Sequence, residues 1–254
     1  MKKKIFSIMA VISVVLFLGA KGLVGQDEFL FTQKELNDFK LAKRHHYTGE
    51  QLFIKGKHQK AEKSFKKCLN VFPKYSSADY YLSKICYQKT DYIQALAHIE
   101  KAEKNFRFMD NLNVSAQWQY LKRLREEREN LQNVLNDPNQ KLTDSMRSEL
   151  EKKVRRIDDA VKRPIPSADH IPADYHYVHG NILFKMKKFK EAYGRYVETL
   201  KSDPRHANAY NNLISLLHMV KQYKKALAYI EQAEANGVEV NPKLKEAVLK
   251  GQAK

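Results

Sequence analysis

Glycine and proline are scarce in this chain: nine and seven among 254 residues. That is about half their ordinary share. A sandwich or barrel of many short strands needs more turn residues than this. Collagen-like and Gly/Pro-rich disordered chains need far more. Two cysteines exclude a disulfide-dense scaffold and any Cys-rich zinc module. No Gly-rich phosphate loop, no G-x-S-x-G and no H-E-x-x-H occurs. What is present is 43% hydrophobic residues, enough for a core, and 46 Lys+Arg against 29 Asp+Glu, a formal charge of +17. A Lys-rich, Tyr-rich helical protein is predicted, and the charge hints at an anionic partner.

Residues 1–25 read as an address. Lys2, Lys3 and Lys4 precede a mostly apolar run from Ile5 to Ala20, and small residues follow at Ala20, Gly22 and Gly25. This is the pattern of a secretory signal peptide of bacterial style. An uncleaved membrane anchor is the alternative, although the run is short for a span. Either way the chain is expected to be exported, to the periplasm or outside the cell. The segment holds four lysines and no acid, so most of the +17 charge stays with the remainder.

The remainder repeats itself with a period of 34. From Ala42 and Ser76, Ala61 falls on Ala95, Phe65 on Ile99 and Cys68 on Ala102. From Ala173 and Ala207, Ala192 falls on Ala226, Phe189 on Tyr223 and Tyr196 on Ile230. Within each unit the apolar spacing is helical, and each unit reads as two helices of about 14 residues joined by a short polar turn. The alanines fall where the second helix crosses the first, where a larger side chain would hold the helices apart. Pro73 and Pro204 end their second helices.

These residues resemble the tetratricopeptide repeat family. The best copies run Gly49, His58, Ala61, Phe65, Cys68, Pro73 and Gly180, Phe189, Ala192, Tyr196, Thr199, Pro204. Ser83 and Ile214 stand in place of the glycine, Arg107 and Val238 in place of the proline. The resemblance implies an all-α, right-handed helical-repeat solenoid. Its units would occupy 42–109 and 173–240, after an N-terminal segment and helix extension at 26–41. A capping helix would follow at 241–254, with Pro242 to Gln252 as its core.

The two pairs are out of phase, because Ala95 and Ala192 are 97 residues apart. Residues 110–172 lie between them. Ser115 to Leu135 and Leu142 to Val161 each show helical spacing around the turn Asn136-Asp137-Pro138-Asn139. They predict a long antiparallel hairpin, continuous with the stack at its base. Pro164, Pro166 and Pro172 then predict an extended linker.

Few residues suggest chemistry. His176 and His179, one helical turn apart with Asp169, His170 and Asp174 nearby, have the spacing of a shared metal site. Ordinary helix packing explains them better, and neither metal nor cofactor is expected. Cys68 and Cys86 fall in successive helices; an oxidising compartment permits a bridge, but Cys68 sits where a small buried residue is wanted. Asn113-Val114-Ser115 has the form of a glycosylation sequon.

The resemblance implies instead a concave groove, lined by the first helix of each unit, that binds peptides or protein segments. Carried over by position, it holds Lys43, His46, Glu50 and Phe53; Tyr80, Lys84 and Tyr87; Tyr177, Asn181, Phe184 and Lys185; and Asn208, Asn211, Asn212, Ser215 and His218. Aromatic rings give area at low entropy cost, and Asn offers a donor and an acceptor to a peptide backbone. Asn181 and Asn212 match the asparagine pair of the carboxylate-clamp subclass, but Tyr177 stands where its lysine is expected. The expected function is a protein–protein interaction scaffold without catalysis, steered by its lysines toward an acidic partner. A basic protein docking on anionic lipid or cell-wall polymer is the alternative, and nucleic acid is not expected.

Overall fold

A computed structural model of the chain describes residues 32–164 and 170–253. The export segment, Pro166 and Asp169 lie outside the described residues. Ten helices, and no strand, occur among those described. The four repeat units are α1 (Gln33–Ile54) with α2 (His58–Val71), α3 (Ser76–Gln88) with α4 (Tyr92–Asn136), α6 (Ala173–Lys185) with α7 (Phe189–Ser202), and α8 (Ala207–Met219) with α9 (Tyr223–Ala235). The hairpin is closed by α5 (Asp144–Val161), and α10 (Pro242–Gln252) caps the end.

Each unit closes around the same crossing. Ala61, Ala95, Ala192 and Ala226 are completely buried, and Phe65, Ile99, Tyr196 and Ile230 lie buried one helical turn further on. The opposing helix must accommodate that bulk. At Gly49 an added Cβ would stand 2.7 Å from the Phe65 ring, and at Gly180 2.8 Å from the Tyr196 ring. Glycine is needed there because an aromatic ring lies against the backbone. In units two and four the opposing residues are Ser83 and Ile214, both buried, and the ring is replaced by Ile99 and Ile230. In unit two the exchange conserves volume, Ser83 meeting the smaller Ile99; in unit four the isoleucine pair is bulkier than the Gly180–Tyr196 pair.

The turns share a second constraint. Gly56, Thr90, Lys187 and Lys221 occupy equivalent positions after the first helix of each unit, all with φ between 57° and 69°. This left-handed conformation closes a helix C-terminus. Glycine adopts it freely; the β-branched Thr90 does so under strain.

The first arm of the hairpin is not a separate helix. α4 runs unbroken for 45 residues, about 68 Å at the α-helical rise. The boundary read at residue 110 therefore lies inside a continuous helix. Its first part carries Ala95, Ile99 and Ala102 into the repeat core; Met109 and Leu112 then join the core of unit one beside Leu36, Phe39, Phe72 and Tyr75. Leu36 and Phe39 belong to the N-terminal extension of α1, opened by a capping box in which Thr32 and Glu35 bond each other's backbone. Further out, the hairpin buries little beyond Leu121, Val154 and Ile157. Charged pairs, Arg128 to Asp158 and Lys153 to Glu127, join its arms.

The gap in the repeat phase is bridged by Tyr175. Its ring stacks on Tyr80 at 4.5 Å and meets Phe106 edge-on at 5.8 Å. The Tyr175 and Ser76 hydroxyls lie 3.3 Å apart, and Ser76 donates to the Ala102 carbonyl. So α6 packs directly on α3 and α4, and units two and three stack while the hairpin stands aside. Cys68 and Cys86 are both free thiols in different core clusters, and burial pushes Cys68 up to about 12.

Two outcomes follow. Gly49→Ser and Phe65→Ile each destabilise the chain, but together they recreate the Ser83–Ile99 pair. The double variant should be more stable than the sum of the single losses allows, by about 1 kcal/mol in a urea-unfolding cycle. Thr90→Gly should raise stability by about 1 kcal/mol, read as a shift in the urea midpoint.

Candidate groove and the polar seam behind it

The first helices of units two, three and four lie side by side, and two adjoining depressions open between them. One, of about 300 Å³, is lined by Tyr80, Lys84, Tyr87 and Gln88 of α3 and by Asp174, Tyr177, Val178 and Asn181 of α6. The other, of about 270 Å³, is lined by Tyr87, Asn181, Phe184, Lys185, Tyr196, Asn212 and Ser215. Tyr87 and Asn181 belong to both, so the depressions form one groove across three helices. Nine of the residues expected to line a concave surface come together here: Tyr80, Lys84, Tyr87, Tyr177, Asn181, Phe184, Lys185, Asn212 and Ser215.

At the centre the two asparagines fix one another. Asn212 Nδ2 donates to Asn181 Oδ1 at 2.7 Å and to the Tyr177 hydroxyl at 3.3 Å. Tyr196 donates its hydroxyl to the same Asn181 oxygen at 2.9 Å. Asn181 keeps its amide N–H groups for the groove, and Asn212 keeps its carbonyl. An ordered donor and an ordered acceptor are what an extended backbone needs from a binding surface. Burial pushes the Tyr196 phenol up, so it stays protonated and able to donate. The Tyr80 phenol is also raised, first by burial and then by the Asp174 charge.

Other expected residues lie elsewhere. His46 is stacked on Tyr75 at 5.0 Å and packed against Phe65 and Tyr81. Burial lowers its pKa. Phe53 packs edge-on against His58 and Tyr81. Both finish the core of unit one and line neither depression. Lys84 Nζ connects the regions, 5.2 Å from the Phe53 ring centre and 5.3 Å from that of Tyr80. Asn211 turns away: it donates to the Ala207 carbonyl and accepts from the Asn241 backbone, holding the entry to α10. Adjacent positions on a helix point about 100° apart, so Asn211 and Asn212 cannot share one face. Gln88, Asp174, Val178 and Tyr196 also line the groove and are not among the positions expected there. Gln88 and Val178 continue the spacing of three and four from Lys84 and Asn181, a signal present in the sequence. Tyr196 is a packing residue of the repeat whose hydroxyl also reaches the groove.

Behind the groove lies a polar seam. His176 and His179 converge on a carboxylate. Glu103 Oε1 is 3.1 Å from His179 Nδ1 and 3.3 Å from His176 Nδ1, and Glu103 Oε2 is 3.2 Å from Arg195. Asp174 faces His206 instead, at 3.4 Å. Among the described residues, no group of three or more His, Cys, Asp or Glu side chains has metal-holding geometry. Burial would raise the Glu103 carboxyl, but His176, His179 and the Arg195 charge outweigh it and hold it at about 2.

No protein-family model and no curated protein matches the chain. Solved structures do. Pseudomonas aeruginosa PilF is 16% identical over 82% of this chain and 81% of its own, with a TM-score of 0.36. YrrB, described as a TPR protein with an unusual peptide-binding site, is 14% identical over 83% of this chain and 91% of its own, with a TM-score of 0.30. The TPR2AB domain of yeast Sti1 is 16% identical over 84% of this chain and 99% of its own, with a TM-score of 0.29. The fold class rests on the chain itself. Its 34-residue register, small residue at every crossing and left-handed turn in every unit define a tetratricopeptide-type solenoid.

Glu103→Gln should expose the worth of the seam. A carboxyl lowered from 4.5 to about 2 contributes stability that is complete above about pH 4.5 and lost as pH falls toward 2. At neutral pH the variant should lose about 3 kcal/mol. Its stability should also depend less on pH between 4.5 and 2 than that of the parent, measured by urea unfolding across that range.

Proposed function

We propose that the protein is an exported scaffold that binds an extended segment of a partner protein in the groove across α3, α6 and α8. The observation that carries this reading is the amide pair at its centre. Asn181 and Asn212 satisfy each other with one donor and one acceptor, so each presents its other half to a ligand at no reorganisation cost. Around them Tyr80, Tyr87, Tyr177 and Phe184 supply rigid apolar area, and Lys84 and Lys185 favour an acidic segment. The mechanism is binding, not catalysis. Export rests on the pattern of residues 2–25.

Lys84→Glu with Tyr87→Ala tests the groove without touching the amide pair that Tyr196 depends on. Partner recovery after crosslinking in cells should fall about tenfold or more, with the chain still folded at the assay temperature by circular dichroism. Undiminished recovery would overturn the groove. If recovery is undiminished and envelope association is lost at high salt, docking by charge on an anionic polymer or lipid takes its place.

A further inference from the structure

A second cleft opens at the edge of the stack where the turns of units three and four meet. Its floor is apolar and recessed: Leu216 and Leu217 are 3% and 1% exposed, and Phe189 and Tyr193 flank them. It encloses about 470 Å³, within the range of specific binding clefts. A shallower cleft of about 430 Å³ continues from it past Gln222 and Lys225 to Tyr223 and Gln252. Neither shares a residue with the groove across α3, α6 and α8.

The rim is of one sign. Lys190, Lys221, Lys224 and Lys225 border the two clefts, all exposed, and no Asp or Glu lines either. Ion pairs in this part of the chain use Lys188, Lys201, Lys245 and Lys250 instead. The N-termini of α7 and α9 reach the same edge, and neither has a side-chain cap. Their first amides and the positive ends of both helices add to the field of the lysines.

We propose that this cleft docks an acidic segment of a partner protein studded with large apolar side chains. Leucine- or phenylalanine-type side chains enter the floor, and aspartates or glutamates meet the lysine rim. Charge complementarity fixes the sign of the occupant. The recessed floor of Leu216 and Leu217 calls for side chains that enter it, and Val220, 39% exposed at its edge, widens the apolar contact they make. The protein then has two independent surfaces, one on the face of the stack and one on its edge, and can hold two partners at once.

The test is selection of a random-peptide display library on the full chain carrying Lys84→Glu and Tyr87→Ala, which disables the groove, beside the same chain carrying Lys190→Glu and Lys225→Glu as well. Both of the latter substitutions lie in the first turn of a helix, where an acid is favourable, so folding is preserved. Enriched peptides should pair acids with large apolar residues. They should bind the charge-reversed chain about tenfold more weakly, yet bind the chain with its groove intact undiminished. Peptides without acids, or equal binding to the charge-reversed chain, would each overturn the proposal. So would failure to enrich acidic peptides while vesicles of phosphatidylglycerol and phosphatidylcholine bind through the same lysines.

Discussion

The position of every groove residue depends on the seating of Tyr175. The repeat breaks phase between units two and three, and nothing in the local helix geometry obliges α6 to return beside α3. Tyr175 makes it return. Its ring stacks on Tyr80 and meets Phe106, and its hydroxyl reaches Ser76, so one side chain engages both helices of unit two. Glu103 adds direction. A carboxylate at the seam, hydrogen-bonded to His179, paired with Arg195 and 3.3 Å from His176, requires α4, α6 and α7 to meet here. Apolar contact brings the pairs together and the buried charges fix the register.

That seam explains how the chain carries a long hairpin without dividing its stack. α4 serves twice. Its first turns complete unit two, its middle supplies Met109 and Leu112 to the core of unit one, and its far end becomes one arm of the hairpin. Because units two and three meet directly, the hairpin costs the groove nothing. The groove forms where α3, α6 and α8 lie in sequence, and its central asparagines come from units three and four.

Much of this was legible in the residues, for reasons that can be named. Alanine at the crossings, the period of 34 and the prolines after Val71 and Ser202 are local signals: they report how close two adjacent helices come and where a helix must stop. The limits of α10 were legible because Pro242 and Asn241 begin a helix by their own chemistry. Groove residues were legible as helical faces, which is why nine of them converge. Asn211, Phe53 and His46 were misplaced by the same method. A face read by position cannot tell a side chain that meets solvent from one that meets a neighbouring loop or an aromatic stack.

The sequence by itself determined the helix pairs, their turns and the identity of the packing layer, because those follow from contacts within one or two helices. The tertiary structure decided three things. It made α4 one helix across an expected boundary, because no residue between Phe106 and Ser115 breaks it. It turned two histidines that resembled a metal pair into partners of Glu103, a residue 76 positions from His179. And it locked Asn181 to Asn212 across two units, leaving one donor and one acceptor free. Each depends on atoms distant in sequence, and only the stacking of units two and three brings those atoms within hydrogen-bonding distance.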